Sequence, residues 1–94
     1  EAGNATAQIK LATFYEKGKF VHPNPQKAFH YFCLAAQQGN PLAQYIVGNY
    51  YYKGEMVAKS LKTALDYFNL SAKNQNADAQ YFLGSLYYQG KEVK

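Results

Sequence analysis

The chain has 94 residues, 48% hydrophobic and 17% charged, which gives enough apolar material for a folded core and too little charge for a disordered chain. All its basic charge is lysine, for a net +4 without a single arginine; lacking the planar guanidinium that reads phosphates and guanines, the composition argues against nucleic acid as a ligand. The lone Cys33 excludes an internal disulfide framework, and no apolar run reaches the roughly 20 residues that span a bilayer, so no membrane insertion is expected.

Along the chain, Asn4 is placed to cap a first helix over 5–17, which carries Ala7, Leu11, Ala12 and Tyr15 and stops at Gly18. Asn24 followed by Pro25 starts a second helix over 25–38. Its Ala28, Tyr31, Phe32, Ala35 and Ala36 fall at i, i+3, i+4, i+7 and i+8, one helical face, and Gly39 ends it. Asn40 and Pro41 open a third helix over 41–53 with Ala43, Val47, Gly48 and Tyr51 in a stripe and Gly54 as the stop. Ser60 caps a fourth over 61–74, bearing Ala64, Tyr67, Phe68, Ser71 and Ala72; Gln75 stands where Gly39 stood. Asn76 caps a fifth over 77–89 with Ala79, Leu83, Gly84 and Tyr87, followed by Gly90.

The elements repeat. Residues 3–38 and 39–74 are identical at 13 of 36 positions, and residues 39–58 and 75–94 at 9 of 20, so the unit is a 36-residue helix pair. The chain then holds repeats 3–38 and 39–74 and a partial third, 75–94, as a single repeat domain. Because it opens on Glu1, it is expected to be a fragment of a longer repeat protein. The small residues Ala12, Gly48 and Gly84 let neighbouring backbones approach, and the Tyr–Phe pairs fill the space between hairpins. The third unit lacks its second helix, so helix 77–89 should expose its Leu83 and Tyr87 face, each wet side chain forfeiting about 1.5–3 kcal/mol. Chain continuation or self-association would cover that face.

These residues resemble the Sel-one-like repeat, a relative of the tetratricopeptide repeat. The family pattern of an Ala, a Leu-Gly pair, a Tyr, a Gly, a loop Val and an Ala-rich aromatic second helix is matched by Ala43, Val47-Gly48, Tyr51, Gly54, Val57, Ala64, Tyr67-Phe68 and Ala72. The second loop glycine of that pattern is replaced by Phe20, Met56 and Glu92, so the loop geometry should differ, and the Asp before the second helix is replaced by Asn24 and Ser60. The resemblance implies an all-α fold: a right-handed α-α superhelix, or solenoid, of about two and a half repeats. It also implies the role of a protein–protein interaction scaffold or adaptor.

In tetratricopeptide-like stacks the first helices line the concave face. Here that face would carry Thr13, Glu16 and Lys17, then Tyr45, Asn49, Tyr52 and Lys53, then Tyr81, Ser85, Tyr88 and Gln89, with Ile9 beside the first group. Tyrosine is enriched in binding hot spots, so these residues are the candidate contacts for a protein or peptide partner. The same tyrosines also suit packing between hairpins, and the sequence leaves both readings open. Asn49 and Lys53 resemble a carboxylate-clamping pair, but one pair alone argues against a clamp. An alternative of another class is a nucleic-acid-binding helical repeat: Lys17 and Lys53 fall at matching positions, but Gln89 does not continue them. No catalytic constellation, metal site or small-molecule cofactor is expected. His30 and Cys33, three residues apart on one helix, read as a surface imidazole and a half-buried thiol without a third ligand.

Overall fold

The computed structural model describes residues 5–18 and 22–89. They form five helices of 13 residues each, α1 (Ala5–Lys17), α2 (Pro25–Gln37), α3 (Pro41–Lys53), α4 (Leu61–Lys73) and α5 (Ala77–Gln89), and no strand among the described residues. α2 and α4 end one residue earlier than the periodicity predicts. Gln38 and Asn74 have already turned out of the helix there, each donating its N–H back into the last turn.

The capping residues act as their chemistry requires. The side-chain oxygens of Asn24, Asn40, Ser60 and Asn76 accept from the N–H of Lys27 (3.1 Å), Ala43 (3.0 Å), Thr63 (3.2 Å) and Ala79 (2.8 Å), each filling a donor the helix leaves open. Asn4 and Gly90 lie outside the described residues. The loops inside the first two hairpins close on matching bonds, Asn24 N–H to Tyr15 O (2.8 Å) and Ser60 N–H to Tyr51 O (3.0 Å). Among the described residues, two non-glycine residues have left-handed backbones, Met56 (φ 66°) and Gln75 (φ 75°), a conformation costing about 1–2 kcal/mol without glycine. At Met56 the demand a second loop glycine would meet without strain is met by a methionine; Phe20 and Glu92 lie outside the described residues.

The helices pack in succession, α1 on α2, α2 on α3, α3 on α4 and α4 on α5, giving an elongated body of 42 × 24 × 18 Å. This is an all-α helical-repeat solenoid. One buried cluster joins the first hairpin to α3 through Ala12, Ala28, Phe32, Ala35, Ala36, Ala43 and Val47. A second joins α4 and α5 through Ala64, Phe68 and Leu83. At Gly48 a Cβ would lie 2.7 Å from Phe68 Cε1 and 3.3 Å from the Ala64 carbonyl, so α3 and α4 approach closely only because position 48 has no side chain.

Two expectations change. The tyrosines of the Tyr–Phe pairs stack inside their own hairpins, Tyr31 on Tyr15 (6.0 Å, 5°) and Tyr67 on Tyr51 (5.9 Å, 11°), while the phenylalanines reach the next one, Phe32 to Tyr50 (6.3 Å) and Phe68 to Phe82 (4.7 Å). Leu83 is buried, at 7% exposure, against Ala64 and Phe68. The preceding hairpin covers it, so its burial needs no further helix. On α5 the exposed rings are Tyr81 (79%) and Tyr88 (92%); the side chain of Tyr87 lies outside the described residues.

A set of glutamines ties the hairpins together. The Gln44 amide donates to the Ala36 carbonyl of the preceding hairpin (3.2 Å) and accepts from Asn74 of its own (3.1 Å). Gln80 repeats the first bond on Ala72 (2.9 Å), and Gln38 donates to Gln8 as Asn74 does to Gln44. The buried Ser71 hydroxyl adds a bond to the Pro41 carbonyl (2.6 Å).

Candidate functional site

On the face carried by the first helices, a hollow of about 340 Å³ is lined by Glu16 of α1, by Tyr45, Ile46, Asn49, Tyr50 and Lys53 of α3, and by Glu55, a size at the low end of ligand sites. Of the candidate contacts, it brings together Glu16, Tyr45, Asn49 and Lys53. Asn49 Nδ2 reaches its own helix at the Tyr45 carbonyl (3.4 Å). Glu16, Lys53 and Glu55 are exposed, and the one salt bridge among the described residues is elsewhere, Lys62 to Asp66 on α4 (3.5 Å).

The other candidates go elsewhere. Thr13 donates to the Ile9 carbonyl (2.9 Å), and Ile9 packs on the first core cluster. Lys17 is exposed but does not line the hollow. Tyr52 packs edge-on against Phe82 (5.3 Å) and Phe68 (6.3 Å), which fits the packing reading. Tyr45 does both, lining the hollow while its ring tilts on Phe68 (5.7 Å). Tyr81 and Tyr88 project outward from α5, and Ser85 is half-buried. The side chain of Gln89 lies outside the described residues.

The sequence reading missed Ile46, Tyr50 and Glu55. Ile46, Asn49, Tyr50 and Lys53 stand at i, i+3, i+4 and i+7, so the open stripe of α3 is turned about one residue toward α1 from the one predicted. Position 50 is Tyr between Phe14 and Leu86 at the matching places, so a search for recurring identities passes over it. The Tyr50 ring is held edge-on by Phe29 (5.0 Å, 75°). Its phenol pKa is raised by burial first, then by the carboxylates of Glu16 and Glu55 and by Cys33.

Two further hollows lie on the second-helix side and share Asp66 and Leu70. One, of about 370 Å³, is lined by residues of α2 and α4 with Gly39 and Gln44; the other, of about 290 Å³, lies along α4. The larger is mostly apolar, and its Gln44 amide is already bonded on both atoms, which leaves little to specify a partner. His30 is exposed with its ring edge-on to Tyr31 (5.4 Å), and burial raises the Cys33 thiol pKa. Among the described residues no three His, Cys, Asp or Glu side chains group to hold a metal, and no helix is long and apolar enough to cross a membrane.

The sequence pattern of the Sel1 repeat matches residues 5–40, 41–76 and 77–94. The chain belongs to the Sel1 repeat family. Among solved structures it is similar to a Sel1 repeat protein of Oxalobacter formigenes, with TM-score 0.90 and 30% identity over 98% of this chain and 69% of that one. A protective antigen of uropathogenic Escherichia coli with an SLR fold matches at TM-score 0.78 and 36% identity, over 93% of this chain and 19% of that one. The cysteine-rich protein B of Helicobacter pylori matches at TM-score 0.77 and 28% identity, over 83% of this chain and 59% of that one. Among curated protein sequences no match was found. Sel1 repeat proteins are generally scaffolds for protein–protein interaction, and the family is non-catalytic. In this member the period sets successive first helices side by side, so its hollow is a surface shared between repeats.

Proposed function

We propose that this Sel1 repeat chain is a binding module, not an enzyme, and that a protein or peptide partner docks on the concave face at the α1–α3 hollow. One observation carries the reading: the hollow draws Glu16 from one repeat and Tyr45, Asn49 and Lys53 from the next, with charged groups that no described residue pairs. Open polar groups around a ring anchored from behind are what a specific, reversible contact needs. Site-directed photo-crosslinking tests it. A crosslinking residue in place of the exposed Lys53 should capture a partner protein from extracts of the source cells, and the same residue in place of the exposed Asn69, on the second-helix side, should not. Adducts at 69 with none at 53 would place docking on the opposite face.

A further inference from the structure

Resting on that docking face, we propose that the α1–α3 hollow selects a basic side chain, arginine or lysine, on the docked segment, seated between Glu16 and Glu55 against the ring of Tyr50. The lining holds two carboxylates and one ammonium, Glu16 and Glu55 against Lys53, in a chain whose net charge is +4. The hollow is therefore a negative spot on a positive molecule, complementary to a cation and repellent to a carboxylate. This is the reverse of what the Asn49–Lys53 pair suggests when read alone.

Three features make it a seat and not merely two nearby acids. Glu16 lies in the last turn of α1 and Glu55 just beyond α3, so their carboxylates reach the hollow from different repeats. Both line the same hollow as Tyr50, and both raise its phenol pKa after burial does. Tyr50 cannot swing aside, because Phe29 and Phe32 back its ring at 5.0 and 6.3 Å, and a fixed phenol presents a π face and an acceptor oxygen to a cation. The chain already uses this chemistry elsewhere, with Lys27 Nζ 5.2 Å from the centroid of Tyr15. A volume of about 340 Å³ suits one long side chain rather than a folded surface.

The test uses the isotope-labelled 94-residue chain and four blocked pentapeptides, Ala-Ala-X-Ala-Ala with X as Arg, Lys, Glu or Leu. The Arg and Lys peptides should shift the amide resonances of Glu16, Asn49, Tyr50 and Glu55 and bind more tightly than the Glu and Leu peptides. Each exposed carboxylate should contribute roughly a 1.5- to 5-fold preference, which high salt shrinks. The double variant Glu16→Gln/Glu55→Gln, which alters only exposed side chains, should erase the preference while the spectrum stays dispersed, and Lys53→Gln should strengthen it. Equal binding of all four peptides at these residues, or a preference that survives the double variant, overturns the charge selection and leaves docking on this face standing. If no peptide shifts these resonances at millimolar concentration, both readings fall.

Discussion

Gly48 and Gly84 hold the same place in successive units, yet their surroundings assign them opposite roles. A Cβ at 48 would enter the ring of Phe68, and that ring is fully buried with Phe82 behind it at 4.7 Å, so it has nowhere to retreat. Around Gly84 nothing lies within 4 Å. Gly48→Ala should therefore lower stability by about 1–2 kcal/mol, overpacking outweighing the gain in helix propensity. Gly84→Ala should raise it by about 0.5–1 kcal/mol. Urea unfolding of the two variants reads both signs, and a stabilised Gly48→Ala would mean that α3 and α4 do not need the close approach. The recurring small residue was legible in the sequence. Which copy is under pressure was not, because that depends on whether a second helix lies against it.

For the helices as units, the caps carried the prediction. Asn24, Asn40, Ser60 and Asn76 each precede a helix by one residue, and the local bonds they make are fixed by chain geometry. Joining one hairpin to the next is another matter. Gln8, Gln44 and Gln80 recur at the same period, but a glutamine on a helix reads as a solvated residue until the neighbour is in place. Gln44 is almost wholly buried and bonds both hairpins at once. Gln44→Met keeps its length and removes both bonds, leaving the Ala36 carbonyl with only its backbone donor, Gly39 N–H (3.0 Å), and the Asn74 amide without its Gln44 acceptor. It should cost about 1–3 kcal/mol, measured as a lower urea midpoint; an unchanged midpoint would show that the amide ladder does not hold the repeats together. The rotation of the open α3 stripe toward α1 has the same origin, since the helical wheel gives a face but not its aim.

For the molecule as a whole, stability is a sum of helix-pair and neighbour terms, and three ionisable groups, one each on α2, α3 and α4, are partly buried. Burial is the leading cause that raises the Cys33 thiol and the Tyr50 and Tyr67 phenols above their ordinary values, with Cys33 and Tyr51 adding to Tyr67. In each the folded state favours the protonated form, and the unfolded chain gives up its proton first as pH rises. Their contribution is thus complete at neutral pH. It is lost above the ordinary thiol and phenol values, about 8.5 and about 10. The melting temperature should fall with pH through that alkaline range, and Tyr67→Phe should flatten the fall. A melting temperature indifferent to alkali would contradict the burial of these groups.

Cap chemistry and a 36-residue period, both encoded within a few turns of chain, were enough for the sequence to determine five helices and their pairing in a solenoid. Only the tertiary structure decided which tyrosines pack and which stay open, that Leu83 is covered by α4, and that Glu16, Tyr50 and Glu55 line one hollow. Those outcomes depend on how far each helix is rotated against its neighbour. Close packing of all the side chains at an interface sets that rotation, and no local segment contains it.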